Sequence, residues 1–347
     1  MTSTVFPGHS NVSLVSHASS AAPSYATHNP NSLIELSRLT ADDGASRSSV
    51  DGVDSVLDGP PPYTRPTTFS PSMQLQIQTA GKPWLSSPLP PRAEAIPIFD
   101  VLPDGSLASH PRYVSVRPIR GKGSCYLIPG NDAGAEYGGE RRTTVSTTAY
   151  RFGPGKPPYV RLYLPGAAGE AELEALEYEG DHENEEDVIS TLAEGPTWDA
   201  FAVQGCGMLT RARRFRTRLG TFEWRYGTRA ERKAAVPGGA NSLLVLDRIA
   251  RVARKGAHDP EESRTPVAWF VRSKELRTPG TRSSTAGNGG RLMLDLSLWD
   301  PGNGGEKADR EMMVVLTVTT LLVMLKREVD RRRAQQMMII AAVASGG

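Results

Sequence analysis

The 347-residue sequence predicts a mainly β fold, in which a closed antiparallel β-barrel surrounds one hydrophobic helix and follows a disordered N-terminal region. Three observations support this prediction. Residues 1–105 are rich in Ser, Thr, Pro and Gly and poor in apolar side chains. About ten short runs of β-forming residues, separated by turn signals, follow between residues 113 and 296. One helix-forming segment, residues 308–336, comes last, and its middle is apolar on every side.

The N-terminal segment, residues 1–105, is expected to be disordered because it cannot bury enough apolar surface to offset the entropy of an ordered chain. Its sharpest short motif is Pro60-Pro61-Pro62-Tyr63. WW domains bind a polyproline helix in an aromatic groove, and a tyrosine can occupy a neighbouring pocket. We therefore predict a WW-domain partner for this motif. The alternative is a chance match in proline-rich sequence.

The second domain, residues 106–347, is expected to form the barrel. We place strands at residues 113–117, 124–128, 144–152, 159–164, 198–203, 208–217, 221–226, 242–252, 267–272 and 291–296. The clearest strand is 221–226, where Phe222, Trp224 and Tyr226 alternate with polar residues and are expected on the core face. The acidic segment 170–187 has few β-formers and is expected to be a solvated loop inserted between strands.

The predicted helix, residues 308–336, contains neither Gly nor Pro, and its acidic start and basic end suit the helix dipole. Its uncharged part, residues 312–325, is shorter than the roughly 17 residues that a bilayer span requires. A helix that is apolar all round must be enclosed by protein or by lipid. The short length disfavours a transmembrane span and favours a closed barrel. The alternative is a membrane-anchored protein held by this short hydrophobic helix.

This order of elements resembles the tubby C-terminal-like fold of tubby proteins, phospholipid scramblases and LURP-one-related proteins, in which a β-barrel encloses a hydrophobic C-terminal helix. The strand motif Gly-Thr-Phe-Glu-Trp-Arg at 220–225 and the helix core at 314–325 carry the resemblance. The chain is also similar to a group of filamentous-fungal proteins with that motif, Ala-Gly-Asn-Gly-Gly at 286–290 and Val-Met-Leu-Lys-Arg-Glu-Val-Asp-Arg-Arg at 323–332. In a fungal cell, the resemblance implies a HECT-type ubiquitin ligase as the WW-domain partner.

A basic stretch between residues 211 and 233 is the main candidate for ligand binding. Within it, Arg214, Arg216 and Arg218 fall on one face of a predicted strand, where they would bind a phosphate group or an anionic phospholipid. The tubby resemblance implies a phosphoinositide. The alternative is a solvated outer face whose charge is neutralised by the acidic segment 170–187. The formal net charge of +2 gives no global field for nucleic acid, so that partner is disfavoured.

Catalytic, metal and cofactor chemistry find little support in the sequence. The six histidines are scattered, and neither of the two cysteines belongs to a Cys-x-x-Cys motif. We therefore expect a binding or scaffold protein that is not an enzyme and that holds neither a metal nor a cofactor. The few cysteines and the absence of a signal-peptide pattern favour the cytoplasm, with peripheral membrane binding and the nucleus left open.

Overall fold

The computed structural model describes residues 69–89, 95–117, 124–131, 144–150, 156–163, 197–207, 210–252, 261–303 and 306–345. These residues form one 13-stranded antiparallel sheet and a long C-terminal helix, which confirms the predicted mainly β class with a barrel and one helix. The Pro60–Tyr63 motif and the acidic segment 170–187 lie outside the described residues, so both interpretations stay predictions.

The strands are β1 (Met73–Ile77), β2 (Ile96–Val101), β3 (Leu107–Val116), β4 (Cys125–Pro129), β5 (Ser146–Ala149), β6 (Tyr159–Tyr163), β7 (Thr197–Ala202), β8 (Gln204–Gly205), β9 (Arg213–Thr217), β10 (Gly220–Tyr226), β11 (Ser242–Val252), β12 (Glu261–Arg272) and β13 (Gly290–Leu294). The helices are α1 (Arg229–Ala234) and α2 (Lys307–Ser345). Two 3₁₀ turns, Ser297–Trp299 and Pro301–Asn303, precede α2.

The sheet nearly closes on itself through one short stretch of chain. The spatial order is β7-β6-β5-β4-β3-β2-β1-β13-β12-β11-β10-β9-β8, so its two ends are β7 and β8. Only Val203 separates these two strands in sequence. β7 pairs with β6 and β8 pairs with β9, and the stretch 197–205 therefore joins both ends of the sheet. A sheet closed in this way hides most of its edges from other chains.

The barrel begins before the predicted boundary at residue 105. Strand β1 pairs with β2 on one side and with β13 on the other, so both early strands are integral to the sheet. Leu75, Ile77 and Ile98 are fully buried. The assignment of all of residues 1–105 to a disordered tail is therefore wrong for these strands. Two short alternating runs were hidden because the composition was averaged over a long segment rich in proline.

Sheet, and not lipid, surrounds the apolar part of α2. Every residue from Met312 to Leu325 is buried, and most of their side chains join one core cluster with the inward-facing side chains of the strands. Val315, Leu321 and Val323 are almost completely buried. This burial contradicts the alternative in which residues 312–325 anchor the protein in a membrane. Among the described residues, no helix is both long enough and apolar enough to cross a bilayer.

The threonines inside this apolar run satisfy their hydroxyl groups within the barrel. Trp224 Nε1 donates to Thr320 Oγ1 at 3.0 Å, and Thr320 Oγ1 donates to the carbonyl of Leu316 at 2.8 Å. Thr319 Oγ1 lies 2.7 Å from Ser146 Oγ. Because buried polar groups are costly unless they are hydrogen-bonded, these contacts fix how the helix is rotated and how far it slides inside the sheet.

Two helical features differ from the prediction. Helix α2 continues to Ser345, beyond the expected end at residue 336, because residues 337–344 contain no Gly or Pro to stop it. Helix α1 was not predicted. It begins with a reciprocal capping box in which Glu231 N–H donates to Thr228 Oγ1 and Thr228 N–H donates to Glu231 Oε2. That four-residue pattern was the available signal in the sequence.

Candidate anion-binding groove

Strand β9 presents its two faces to different environments. Phe215 points into the core, where its ring stacks on Phe201 and Phe222 at centroid distances of 5.3 and 5.7 Å. Arg214 and Arg216 therefore point to the outside, because side chains alternate along a strand. Arg218 follows in the turn before β10. The structure places all three arginines predicted from the sequence along one groove.

The groove is lined by residues of β7, β9, β10 and β11, beside the closing stretch of the barrel. The backbone N–H of Arg218 donates to Asp199 Oδ2 at 2.8 Å and so links β7 with the turn after β9 through a side chain. The groove has a volume of about 1040 Å³. Its charged lining consists of five arginines and one glutamate: Arg214, Arg216, Arg218, Arg248, Arg251 and Glu262. Such a lining attracts anions.

Arg214 is committed to ion pairs within the sheet. Its Nη2 lies 2.9 Å from Glu223 Oε2, and its Nη1 lies 3.2 Å from Glu262 Oε1. Arg264 Nη1 donates to the other oxygen of Glu223 at 2.8 Å. Burial alone would raise the pKa of Glu223, but hydrogen bonds from Arg264 and Arg214 outweigh it and lower that pKa. Arg214 therefore positions the strands and has little charge left for a ligand.

Arg216 and Arg218 differ from Arg214 in their surroundings. Arg216 is exposed and has no acidic partner among the described residues. The guanidinium of Arg218 lies 4.8 Å from the centroid of the Trp198 ring, a cation–π contact that holds it without neutralising its charge. Arg248 reaches across Gly220, where a Cβ would lie only 3.3 Å from its Nε. Among the arginines that line the groove, Arg216, Arg218 and Arg248 have no acidic partner among the described residues.

A second polar cluster, which the sequence reasoning missed, lies at the mouth where α2 leaves the barrel. The buried carboxylate of Glu328 accepts hydrogen bonds from Arg272 Nη1 at 2.7 Å, Arg272 Nη2 at 2.8 Å, Tyr226 Oη at 2.7 Å and Gly287 N at 3.0 Å. Arg272 also donates to Asn288 Oδ1 at 3.0 Å. These contacts bring segments 286–290 and 323–332 together beside the end of strand β10.

Glycine at position 287 is what allows this close approach. Its φ is +65°, and a Cβ there would lie 2.6 Å from both the Leu325 carbonyl and Val329 Cγ2. Gly287 lies in a turn, and this turn clamps the helix. The available signal was the position of Glu328, which is seven residues after the buried Leu321 and so lies on the same helix face.

The described residues offer little for metal or thiol chemistry. Among them, no group of three or more His, Cys, Asp or Glu side chains is arranged to hold a metal ion. Cys125 is buried and Cys206 is exposed, and both are free thiols. Burial raises the pKa of Cys125, and partial burial with the nearby Glu223 carboxylate raises that of Cys206. Raised pKa values keep both thiols protonated and unreactive.

Comparison of the chain with protein-family models, curated proteins and solved structures found no match. The resemblance to the tubby-like fold therefore stays a prediction that rests on the order of elements.

Proposed function

We propose that this chain is a non-enzymatic binding or scaffold protein. Its barrel binds a phosphate-bearing anion in this arginine-lined groove, and its N-terminal motif Pro60–Tyr63 recruits a WW-domain protein such as a HECT-type ubiquitin ligase. The observation that carries the proposal is the groove lining of five arginines and one glutamate, in which Arg216 has no acidic partner among the described residues. Guanidinium groups bind phosphate through paired hydrogen bonds.

The groove favours an anion larger than a simple ion. Its volume of about 1040 Å³ corresponds to the upper end of small-molecule sites, which span roughly 300–1,000 Å³. Arg218 is held on Trp198 before any ligand arrives, so little side-chain entropy is lost on binding. The required chemistry is several phosphate groups on one scaffold. A phosphoinositide headgroup in a membrane and a free inositol phosphate both supply it.

Two binding measurements distinguish the membrane headgroup from the free inositol phosphate. Calorimetric titration with a soluble inositol polyphosphate reports the groove alone, and flotation with phosphatidylcholine vesicles that contain a phosphoinositide reports the membrane. We expect Arg216→Ala with Arg248→Ala to weaken binding by about a hundredfold, if each arginine contributes about tenfold. Arg229→Ala on α1 is the matched control, since it removes an exposed arginine away from the groove. Equal binding by wild type and the double variant, or no binding to either probe, would refute the groove proposal.

The tail is tested separately by affinity capture on isolated WW domains. We expect Tyr63→Ala to abolish capture, because the tyrosine pocket of the WW domain is left empty. Tyr25→Ala is the control, because Tyr25 lies in the same segment but is not preceded by consecutive prolines. Equal recovery of wild type and Tyr63→Ala would contradict the tail proposal and leave the groove unaffected.

A further inference from the structure

Helix α2 presents apolar side chains to solvent after it leaves the barrel. Gln336 is the last buried residue of the helix. Met337, Met338, Ile339, Ile340 and Val343 are all exposed, by between 48% and 74%. A helix that is apolar on all sides is normally enclosed. These turns are not enclosed by any described part of this chain.

A second segment, distant in sequence, adds apolar side chains at the same place. Residues 82–89 form a loop in which Trp84, Leu85 and Leu89 are exposed, Leu85 by 91%. Gln336 Nε2 donates to the carbonyls of Trp84 at 2.6 Å and of Ser86 at 2.9 Å, so the loop is fixed to the helix where the helix becomes exposed. Of the ten large hydrophobic side chains exposed in the described part of the chain, eight belong to these two segments. We call residues 84–89 and 337–345 together the apolar tip.

Arginines surround the base of the apolar tip. Arg331, Arg332 and Arg333 are consecutive, and steps of about 100° per residue distribute them around the helix. We call these three residues the arginine collar. Arg332 stacks over the Trp84 ring at 4.4 Å, and Arg333 Nε donates to the Pro88 carbonyl at 3.1 Å. The collar thus holds the loop in place and keeps its positive charge directly beside the exposed apolar surface.

We propose that the apolar tip inserts into one leaflet of an anionic lipid bilayer, with the arginine collar at the level of the lipid phosphates. Residues 337–345 extend about 13 Å at 1.5 Å per residue, which matches half of a hydrocarbon core of about 30 Å. Tryptophan prefers the membrane interface, where Trp84 would lie. Charge decides between a bilayer and a second copy of the chain: two collars would repel each other, whereas anionic headgroups attract them.

This inference is independent of the groove. Gly220, at the start of β10, lines the groove, whereas Tyr226, at the end of β10, contacts Glu328 just before the collar. The two sites therefore lie toward opposite ends of the barrel, and either proposal can fail without the other.

The test uses the full chain in flotation with vesicles of phosphatidylcholine alone and of an equimolar phosphatidylcholine–phosphatidylserine mixture. We expect binding to the mixture only, with loss at high salt. Ile339→Glu with Ile340→Glu should lower partitioning by at least about tenfold, because charged side chains are costly in the hydrocarbon region. Leu298→Glu is the matched control, since Leu298 is equally an exposed hydrophobic residue but lies before α2. The groove variant Arg216→Ala with Arg248→Ala should bind these vesicles like wild type.

A second readout locates the inserted residues. Lipids brominated on the acyl chain should quench tryptophan fluorescence in wild type, and Trp84→Phe should lose most of that quenching. Thermal unfolding verifies that the exposed substitutions leave the fold intact. Equal partitioning of wild type and the double glutamate variant would overturn the inference. The inference would also be overturned by a different set of results: wild type is a dimer in sedimentation, the double glutamate variant is a monomer, and neither protein binds vesicles. A second copy of the chain would then cover the tip.

Discussion

Replacing Glu328 by Gln should destabilise the barrel strongly. The side chains of Glu328 and Arg272 are 11% and 7% exposed, and their closest atoms, Glu328 Oε2 and Arg272 Nη1, are 2.7 Å apart. Glutamine keeps the shape of the side chain but removes the charge and presents an NH₂ group where an oxygen accepted hydrogen bonds. The buried guanidinium of Arg272 then lacks its counterion. Breaking a buried ion pair from one side costs about 3–5 kcal/mol.

Urea and thermal unfolding, followed by tryptophan fluorescence, measure this loss. For a domain of this size each kcal/mol lowers Tm by about 2–4 °C, so we expect a decrease of roughly 6–20 °C. The matched control is Asp300→Asn, which breaks the pair between Asp300 and Arg310 at 2.9 Å, whose side chains are 41% and 40% exposed. An exposed pair contributes less than about 1 kcal/mol. A free energy of unfolding for Glu328→Gln within about 0.5 kcal/mol of wild type would refute the reasoning.

The effect should also depend on pH. Burial alone would raise the pKa of Glu328, but the hydrogen bonds and charge of Arg272 outweigh it, so the pKa in the folded state lies below the ordinary value of 4.5. The stabilisation is therefore fully present above about pH 4.5 and is lost as the pH falls toward the lower folded-state pKa. The difference in stability between wild type and Glu328→Gln should accordingly shrink in acid. A constant difference down to strongly acidic pH would contradict this assignment.

Three further perturbations have defined outcomes. Thr320→Val should cost about 1–3 kcal/mol in urea unfolding, because Trp224 Nε1 loses the hydroxyl acceptor that it has inside the barrel; an unchanged midpoint would contradict that role. Gly280→Ala should lower the free energy of unfolding only by the left-handed backbone penalty of about 1–2 kcal/mol, because nothing lies near its added Cβ. Gly287→Ala should lose about 1–3 kcal/mol more, because its Cβ would collide with α2. Equal losses of stability in the two variants would exclude the clamp. Burial and the neighbouring Glu328 carboxylate raise the pKa of Tyr226 to about 12. The Tyr226 phenol should therefore titrate near that pH in ultraviolet absorption, and its pKa should decrease when Glu328 is neutralised.

A barrel around a helix was predictable because the residue patterns that indicate it lie within single short segments of the sequence. All-round apolarity of residues 312–325 requires enclosure, and alternation in 221–226 places Phe222 and Trp224 inside. Strands β1 and β2 were missed for a physical reason. Each is a run of only five or six residues, and β1 is held by pairing with β13, more than 200 residues away.

The roles of individual arginines were not predictable from β9 alone. Arg214 and Arg216 have the same spacing and the same face in the sequence. Their difference comes from the cross-strand register, which places Glu223 opposite Arg214 and Thr221 opposite Arg216. Register is a property of two strands, so no pattern within one strand reveals which arginine is neutralised.

The order of synthesis has a consequence for this architecture. Helix α2 is the last described element to leave the ribosome, but its residues 312–325 fill the centre of the core. Until they emerge, Phe222, Leu246 and Phe270 lack the helix that completes their core cluster. A chain that lacks α2 leaves the inward apolar faces of its strands without their central filling, and exposed apolar surface of this kind favours aggregation.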